Sequence, residues 1–262
     1  MTVVTFTTDF GTGDGYVGAM KGVVLSLAPD AQLVDITHEV PPFDVAAGAF
    51  ALAQAAPLFP PGSIHVAVVD PGVGHARAEL VVEAHGSLFV GPDNGVLSLA
   101  ARGPRVARRI EADHFRRQPV SPTFHGRDVF AAAAGRLASG AAPRDAGSLL
   151  PAMVDLTAVD AETTGTAPGL SGTILHVDRF GNLITSIDGE QLTPGHWRLR
   201  PRGTSGPGIV AAAARTYADV ARGALLFYVG SSGLVELACR EGSAAAATGL
   251  GRGAAITIEN SP

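Results

Sequence analysis

Near residue 139 the chain changes character, and that change limits the possible folds more than any single motif. Before it, apolar β-branched runs alternate with stretches of helical periodicity; after Ser171 the runs are short, strand-like and separated by turn residues. Between them, Ser139 to Ser171 consists of Gly, Ala, Pro, Thr and isolated apolar residues, with Pro143, Pro151 and Pro168, the composition of a linker or crossover. The expectation is an α/β domain over 1–155 with a central sheet flanked by helices, a linker over 156–170, and an all-β, barrel-like domain over 171–262. With 262 residues, 46% of them hydrophobic, each half has the material for its own core.

In the first half, Val3 to Thr8 reads as a strand that ends at Asp9, and Val17, Met20, Val23, Val24 and Leu27 follow at helical spacing until Ala28-Pro29. Residues Gly13 to Gly18 satisfy G-x-G-x-x-G, which keeps an NAD-type oxidoreductase open as an alternative. Asp14 stands inside that loop with Asp9 just before it, and both would repel a pyrophosphate. Two acids at a helix N-terminus are stable without a ligand, Asp14 serving as N-cap. If they meet a ligand, hydroxyls or an ammonium fit better. Gln32 to Thr37 reads as a second strand, and Asp44 as the cap of an Ala-rich helix running to about Ala55. Phe43, just before it, is either a hydrophobic staple or a flat surface for a ring.

Ile64 to Val69 is an uninterrupted apolar run that ends in Asp70 and is cut off by Pro71-Gly72. That pattern describes a buried strand delivering a carboxylate to its carboxyl end, where open α/β sheets bind ligands. Gly72 and Gly74 let the backbone turn, and Arg77 can fold back towards Asp70. By themselves these residues fit a strand-ending turn with an ion pair equally well. A hairpin about His85-Gly86 joins Leu80 to Glu83 with Leu88 to Val90. Gly91-Pro92-Asp93-Asn94-Gly95 leads into an expected short helix over 96–101, and Arg105 to Ile110 forms another strand. The doublets Arg108-Arg109 and Arg116-Arg117 read as solvated edge positions, with inter-subunit pairing as the alternative. Phe124-His125-Gly126-Arg127-Asp128 opens a helix that continues to Leu137. A histidine there feels the positive end of the helix dipole, which keeps its ring neutral and able to accept a proton or orient a water; a capping or core histidine is the other reading.

Beyond residue 171, strands are expected at Gly172 to Asp178, Asn182 to Ile187, Ile209 to Ala212, Ala224 to Val229, Leu234 to Cys239 and Ala254 to Ile258. The turns Asp178-Arg179-Phe180-Gly181-Asn182 and Gly230-Ser231-Ser232-Gly233 are explicable as turn chemistry. An Asn beside a Phe can also hold an adenine, edge by hydrogen bonds and face by stacking.

A net charge of −5 leaves no electrostatic footprint for nucleic acid or an anionic membrane, and favours neutral or cationic small molecules as partners. The single cysteine, Cys239, excludes an intramolecular disulfide and a multi-cysteine metal site. No apolar stretch reaches the roughly 18 residues of a membrane span, and the strand-like N-terminus makes the cytoplasm the expected location.

Taken in order, Thr8-Asp9-Phe10-Gly11, Asp70-Pro71-Gly72-Val73-Gly74 with Arg77, Gly91-Pro92-Asp93-Asn94-Gly95, Phe124-His125-Gly126-Arg127-Asp128, Phe180-Gly181-Asn182 and Gly230-Ser231-Ser232-Gly233 resemble the S-adenosyl-L-methionine (SAM) hydroxide adenosyltransferases. These SAM hydrolases are related to the fluorinating and chlorinating enzymes. The resemblance implies hydrolysis of SAM to adenosine and L-methionine by attack of water on ribose C5′, with SAM as substrate and no cofactor or metal. It also implies a homotrimer with active sites between subunits. By motif, Asp70, Arg77 and His125 would hold and polarise the water. Asp9 would grip the ribose hydroxyls and Asp14 the methionine ammonium. Phe180 and Asn182 would hold the adenine, with Phe43 near the nucleoside and Ser231 near the methionine end. The halogenating relatives carry a tyrosine at the position matching Asp70 and lack the Arg and His, which places this chain with the hydrolases. Besides the oxidoreductase, a non-catalytic SAM- or adenosine-binding protein remains an alternative.

Overall fold

The computed structural model describes residues 1–156, 169–204 and 206–261. The chain divides into two compact units, Met1–Leu156 and Thr157–Pro262. Of the expected linker at 156–170, residues 157–168 lie outside the described residues.

The first unit runs β1 (Val3–Thr8), α1 (Tyr16–Leu27), β2 (Gln32–Thr37), α2 (Val45–Ala55), β3 (Ile64–Val68), β4 (Glu79–Ala84), β5 (Ser87–Pro92), β6 (Arg105–Arg109), α3 (Ala132–Ala138) and β7 (Leu149–Leu150). Its seven strands form one mixed sheet in the order β2-β1-β3-β5-β4-β6-β7. β1 is parallel to β2 and β3, and β3 is parallel to β5, while β4 is antiparallel to both β5 and β6. The apolar run of β3 follows from burial on both faces. Ile64, Val66 and Val68 enter one core with Val4, Phe6, Met20, Val24 and Phe130. Ala67 and Val69 enter the other with Leu52, Leu80, Val96 and Leu97. The hairpin between β4 and β5 turns at His85 and Gly86, both at positive φ, the two-residue geometry that matches strand twist.

Two local expectations are corrected. Residues 96–101 form successive turns rather than a helix: the Asn94 side chain takes the Val96 N–H and the Gly95 carbonyl closes a short turn to Ser98 N. The helix expected from Phe124 begins as a π-helical stretch, Gly126–Ala131, before α3. Wide turns of this kind are frequent at functional sites.

The second unit is a closed barrel of β8 (Leu170–Val177), β9 (Leu183–Asp188), β10 (Gly195–Pro201), β11 (Ile209–Ala213), β12 (Leu225–Val229), β13 (Leu234–Cys239) and β14 (Ala255–Ser261), with a short helix α4 (Ala244–Thr248). The order around it is β10-β11-β12-β13-β9-β8-β14. Closure gives each barrel strand a paired neighbour on both sides. β10 was not expected, because Gly195 and Pro201 bound it and Arg198 and Arg200 interrupt it; its alternate residues Trp197 and Leu199 nevertheless point into the core. No helix among the described residues is long and apolar enough to cross a membrane.

Candidate active site

β1 and β3 run side by side in parallel with Thr8 opposite Val68, so their carboxyl ends deliver Asp9 and Asp70 to one edge of the sheet. A cleft of about 460 Å³ opens there, lined by Asp9, Phe43, Asp70 and His125 together with Phe10, Tyr16 and Phe124. The last three rings meet edge to face at 5.2–6.2 Å between centroids. Asp9 Oδ2 accepts the Phe43 N–H at 2.9 Å, which ties the loop ahead of α2 to the end of β1. Asp44 caps α2 as expected, accepting from Ala47 N at 2.9 Å. Phe43 does not act as a staple: the residue it would meet one turn on is Gly48, and the ring is 71% exposed on the cleft.

Behind Asp70 lies a nearly closed polar cluster. Arg77 Nε donates to both oxygens of Asp70 at 3.0 Å, and Nη2 adds a second donor to Oδ2. The other edge of the guanidinium donates through Nη1 to Glu79 Oε1 at 3.2 Å and through Nη2 to His125 Nδ1 at 3.0 Å. Glu79 Oε1 also lies 3.1 Å from His125 Nδ1, and its Oε2 accepts from Arg116 Nη2 at 2.7 Å. Side-chain exposures of 5% for Asp70 and 9% for Arg77 keep water from screening the pair. Burial first, and then the charge on Arg77, push the His125 ring below its ordinary pKa, while Glu79 and Asp70 pull it partly back. Guanidinium nitrogen donates and never accepts, so Arg77 bonds to His125 Nδ1 only in the neutral tautomer that has its lone pair there, while Glu79 at the same nitrogen favours the tautomer protonated on Nδ1. Arg77 itself does not line the cleft.

Two braces hold this cluster. The turn after β3 is closed by Val73 N to Asp70 O and His75 N to Gly72 O, and Gly74, at φ +78°, brings the turn against the segment that carries His125. A Cβ on Gly74 would stand 2.7 Å from Pro122 O. Asn94 Nδ2 donates to Val69 O at 2.8 Å, fixing the backbone just ahead of Asp70. On the other side, the buried Asp128 carboxylate accepts from Ser121 N at 2.9 Å and from Arg127 and Arg117. Burial alone would raise the Asp128 pKa, but these hydrogen bonds outweigh it and hold the group charged, so it can clamp residues 117–128.

Glu79 and Arg116 are the residues that sequence reasoning missed. The available signal was Arg77-Ala78-Glu79, an alternation at a strand start that puts both charges on one side of β4. The Arg116-Arg117 doublet, expected to be solvated, instead serves Glu79 and Asp128. Asp14 is exposed, lies outside the cleft lining and caps nothing, since the N-cap of α1 is Gly15 without a side-chain bond. Added Cβ atoms on Gly13, Gly15 and Gly18 would meet nothing within 4 Å, so the G-x-G-x-x-G pattern makes none of the close approaches of a dinucleotide fold.

In the second unit, Phe180 and Asn182 line a hollow of about 320 Å³ with Tyr217, Cys239, Glu241 and Gly242. Asp178 builds the turn: Oδ1 accepts from Phe180 N at 2.9 Å and Asn182 N at 2.8 Å, and Oδ2 from Asn182 Nδ2 at 2.8 Å. Phe180 is 76% exposed. Ser231 is exposed and lines neither hollow, while the neighbouring Ser232 Oγ is buried with no hydrogen-bond partner among the described residues. Among the described residues no group of three or more His, Cys, Asp and Glu is placed to hold a metal ion.

A carboxylate, a guanidinium and an imidazole buried together against a cleft are the equipment of an enzyme that orients a nucleophile and handles its proton. The chain belongs to the SAM hydroxide adenosyltransferase family, whose N-terminal domain matches residues 4–147 and whose C-terminal domain matches residues 172–257. An (R)-S-adenosyl-L-methionine hydrolase of Salinispora tropica is 41% identical over 97% of each chain. A fluorinase of Nocardia brasiliensis is 27% identical, covering 98% of this chain and 96% of its own. The crystal structure of an uncharacterized conserved protein from Thermotoga maritima superposes with a TM-score of 0.89 at 31% identity, over 99% of this chain and 100% of that one.

Proposed function

We infer that this protein hydrolyses SAM to adenosine and L-methionine. The observation that carries the reading is the buried Asp70–Arg77–His125 cluster at the wall of a cleft that Asp9 also lines, in a chain whose hydrolase relative is 41% identical from end to end. Water oxygen forms a bond to ribose C5′, the C5′–S bond breaks with its electron pair on sulfur, and a neutral thioether leaves. Because the sulfonium is already activated, the chemistry calls for no acid at the leaving group. What remains is to hold one water in line with the C–S bond and take its proton. Asp70 and His125 face the cleft and are suited to that work. Arg77 is a positioning residue that locks both in place.

The other roles follow the family motifs. Asp9 has one oxygen committed to Phe43 and the other left for a ribose hydroxyl, and the exposed Phe43 ring offers a face to the nucleoside. Phe180 and Asn182 take the face and edge of the adenine, Asp14 the ammonium and Ser231 the methionine end. SAM brings a sulfonium and an ammonium against one carboxylate, which suits acids at Asp9 and Asp14. The same resemblance supports a homotrimer with active sites between subunits and a reaction that uses no cofactor.

The test is incubation with each sulfonium epimer of SAM in oxygen-18 water and metal-free buffer. Adenosine labelled at the 5′ oxygen, with equimolar methionine, is the expected result, and the Salinispora relative's name points to the (R) epimer. Binding of both epimers without turnover would establish a binding protein instead. Release of free adenine would place the attack at C1′ and also overturn the reading.

A further inference from the structure

The barrel hollow has an unusual polarity: every side-chain donor on its wall is already committed inside the protein. Asn182 Nδ2 spends its two hydrogens on Asp178 Oδ2 at 2.8 Å and on Tyr217 Oη at 3.1 Å. The Cys239 thiol donates to Gly223 O at 3.4 Å. The Tyr217 and Tyr228 hydroxyls are 2.8 Å apart, and Tyr228 donates to Glu236 Oε2. A hydroxyl has one proton. Since that of Tyr228 goes to Glu236, the shared bond between the two tyrosines must be donated by Tyr217. Burial, followed by the bonds to Glu236 and Tyr217, pushes the Tyr228 phenol up, so it keeps the proton it gives. The polarity therefore runs Asn182 to Tyr217 to Tyr228 to Glu236, anchored on a carboxyl group buried in β13. Asn182 Oδ1 accepts no hydrogen bond among the described residues, and Glu241, the remaining polar side chain on the wall, is an acceptor.

We propose that Tyr217, Tyr228 and Glu236 are positioning residues that make this hollow an acceptor-only edge, selecting a 6-aminopurine over a 6-oxopurine. An exocyclic amine donates to Asn182 Oδ1, whereas a 6-oxo group would set an acceptor against acceptors and find no side-chain donor free on this wall among the described residues. The proposal rests on the reading that Phe180 and Asn182 hold the purine, and adds what enforces the choice of base. Tyr228 does not line the hollow. It acts by taking the Tyr217 proton away from the ligand.

The experiment compares kcat/KM for SAM with that for its deaminated 6-oxo counterpart in the wild type, Tyr228→Phe and Tyr217→Phe. The wild type is expected to prefer SAM by at least about tenfold, the effect of one mismatched buried hydrogen bond. In Tyr228→Phe the Tyr217 proton loses its acceptor and turns to the ligand. In Tyr217→Phe an Asn182 N–H is released. Each change is expected to cut the preference by about tenfold. A merely structural defect would lower both substrates together and leave the ratio alone. Tyr217, on an exposed segment, supplies the answer should Tyr228→Phe fail to fold. Affinity for adenosine in Asn182→Ala separates the two levels of the argument. If that affinity falls while both tyrosine variants keep the wild-type ratio, the relay is wrong and the purine site stands. If Asn182→Ala binds adenosine like the wild type, the purine site itself is wrong, and the relay falls with it.

Discussion

Glu79 Oε1 lies 3.1 Å from His125 Nδ1, the same ring nitrogen that accepts from Arg77 Nη2 at 3.0 Å. Two neutral tautomers of the ring answer to these two neighbours, and they do opposite work. With its proton on Nε2 the ring accepts from Arg77 and can only donate towards the cleft. With its proton on Nδ1, held by Glu79, Nε2 carries the lone pair and can take a proton from water. Glu79 is thus the residue that makes His125 usable as a base. Glu79→Gln is expected to lower kcat by about 100-fold, the lower end of what a general base contributes, with KM for SAM within about twofold. The sign of the pH effect follows from the same contacts. His125 works neutral, so activity is lost as pH falls through its depressed pKa, and removing the Glu79 charge, which pulls that pKa up, moves the acidic limb to lower pH. A pH–rate profile of kcat for both proteins checks it.

Asp70 is braced by three donated hydrogen bonds from one guanidinium and is almost fully buried. Asp70→Asn keeps the shape but replaces a charge-assisted pair with an amide facing Arg77. The expected result is a fall in kcat of about 100-fold or more with SAM still bound, because the lost interaction matters to the developing nucleophile rather than to the substrate. Rapid-quench turnover alongside calorimetric binding of SAM measures the two separately. Undiminished kcat would remove Asp70 from the catalytic group.

Much of this arrangement is written in local patterns. β1, β2 and β13 begin and end where their runs of strand-forming residues do, because turn residues bound each of them. The ends of β1 and β3 are where carboxylates interrupt those runs, which is why Asp9 and Asp70 were legible. Glu79 was not: its partners Arg77, Arg116 and His125 lie 2, 37 and 46 residues away in the chain, and only the antiparallel placement of β4 beside β6 brings them together. Tyr217 and Tyr228 were hidden for another reason: β12 and β13 are consecutive strands, but the register that sets Tyr228 opposite Glu236 and the contact of Tyr217 with Asn182, 35 residues away, are not written in either strand's own pattern. The first turn of the His125 helix was misjudged because helical periodicity does not distinguish a π-helical stretch from an α-helix.

Gly74 links the two halves of the catalytic group. Its φ of +78° excludes ordinary side chains, and its close approach to Pro122 O leaves no room for a Cβ. Gly74→Ala is therefore expected to destabilise the protein by about 1–3 kcal/mol. It should also lower kcat disproportionately, because the displaced 121–125 segment carries His125. Thermal unfolding and kcat measured well below the midpoint separate the two effects. A variant that loses stability but keeps the wild-type kcat would show that the His125 segment does not depend on this contact.

His65 lies on β3, fully buried, with Nδ1 on Thr5 Oγ1 at 2.8 Å, its ring stacked on Phe89 at 5.1 Å and Nε2 without a partner among the described residues. Burial depresses its pKa from 6.5 to about 4. The native state therefore holds the ring neutral while the unfolded chain takes up a proton near pH 6.5. Stability is full above that value and is lost progressively as pH falls towards 4, by about 1.4 kcal/mol per pH unit and about 3 kcal/mol in all. His65→Gln cannot titrate and should lack this slope, whatever constant difference the substitution adds. Urea unfolding at pH 7, 6, 5 and 4 for both proteins tests it, since the carboxylates common to both cancel in the difference. The two stability curves should converge as pH falls; parallel curves would mean that His65 takes up its proton in the folded protein at no extra cost, and that Nε2 finds a partner when it does.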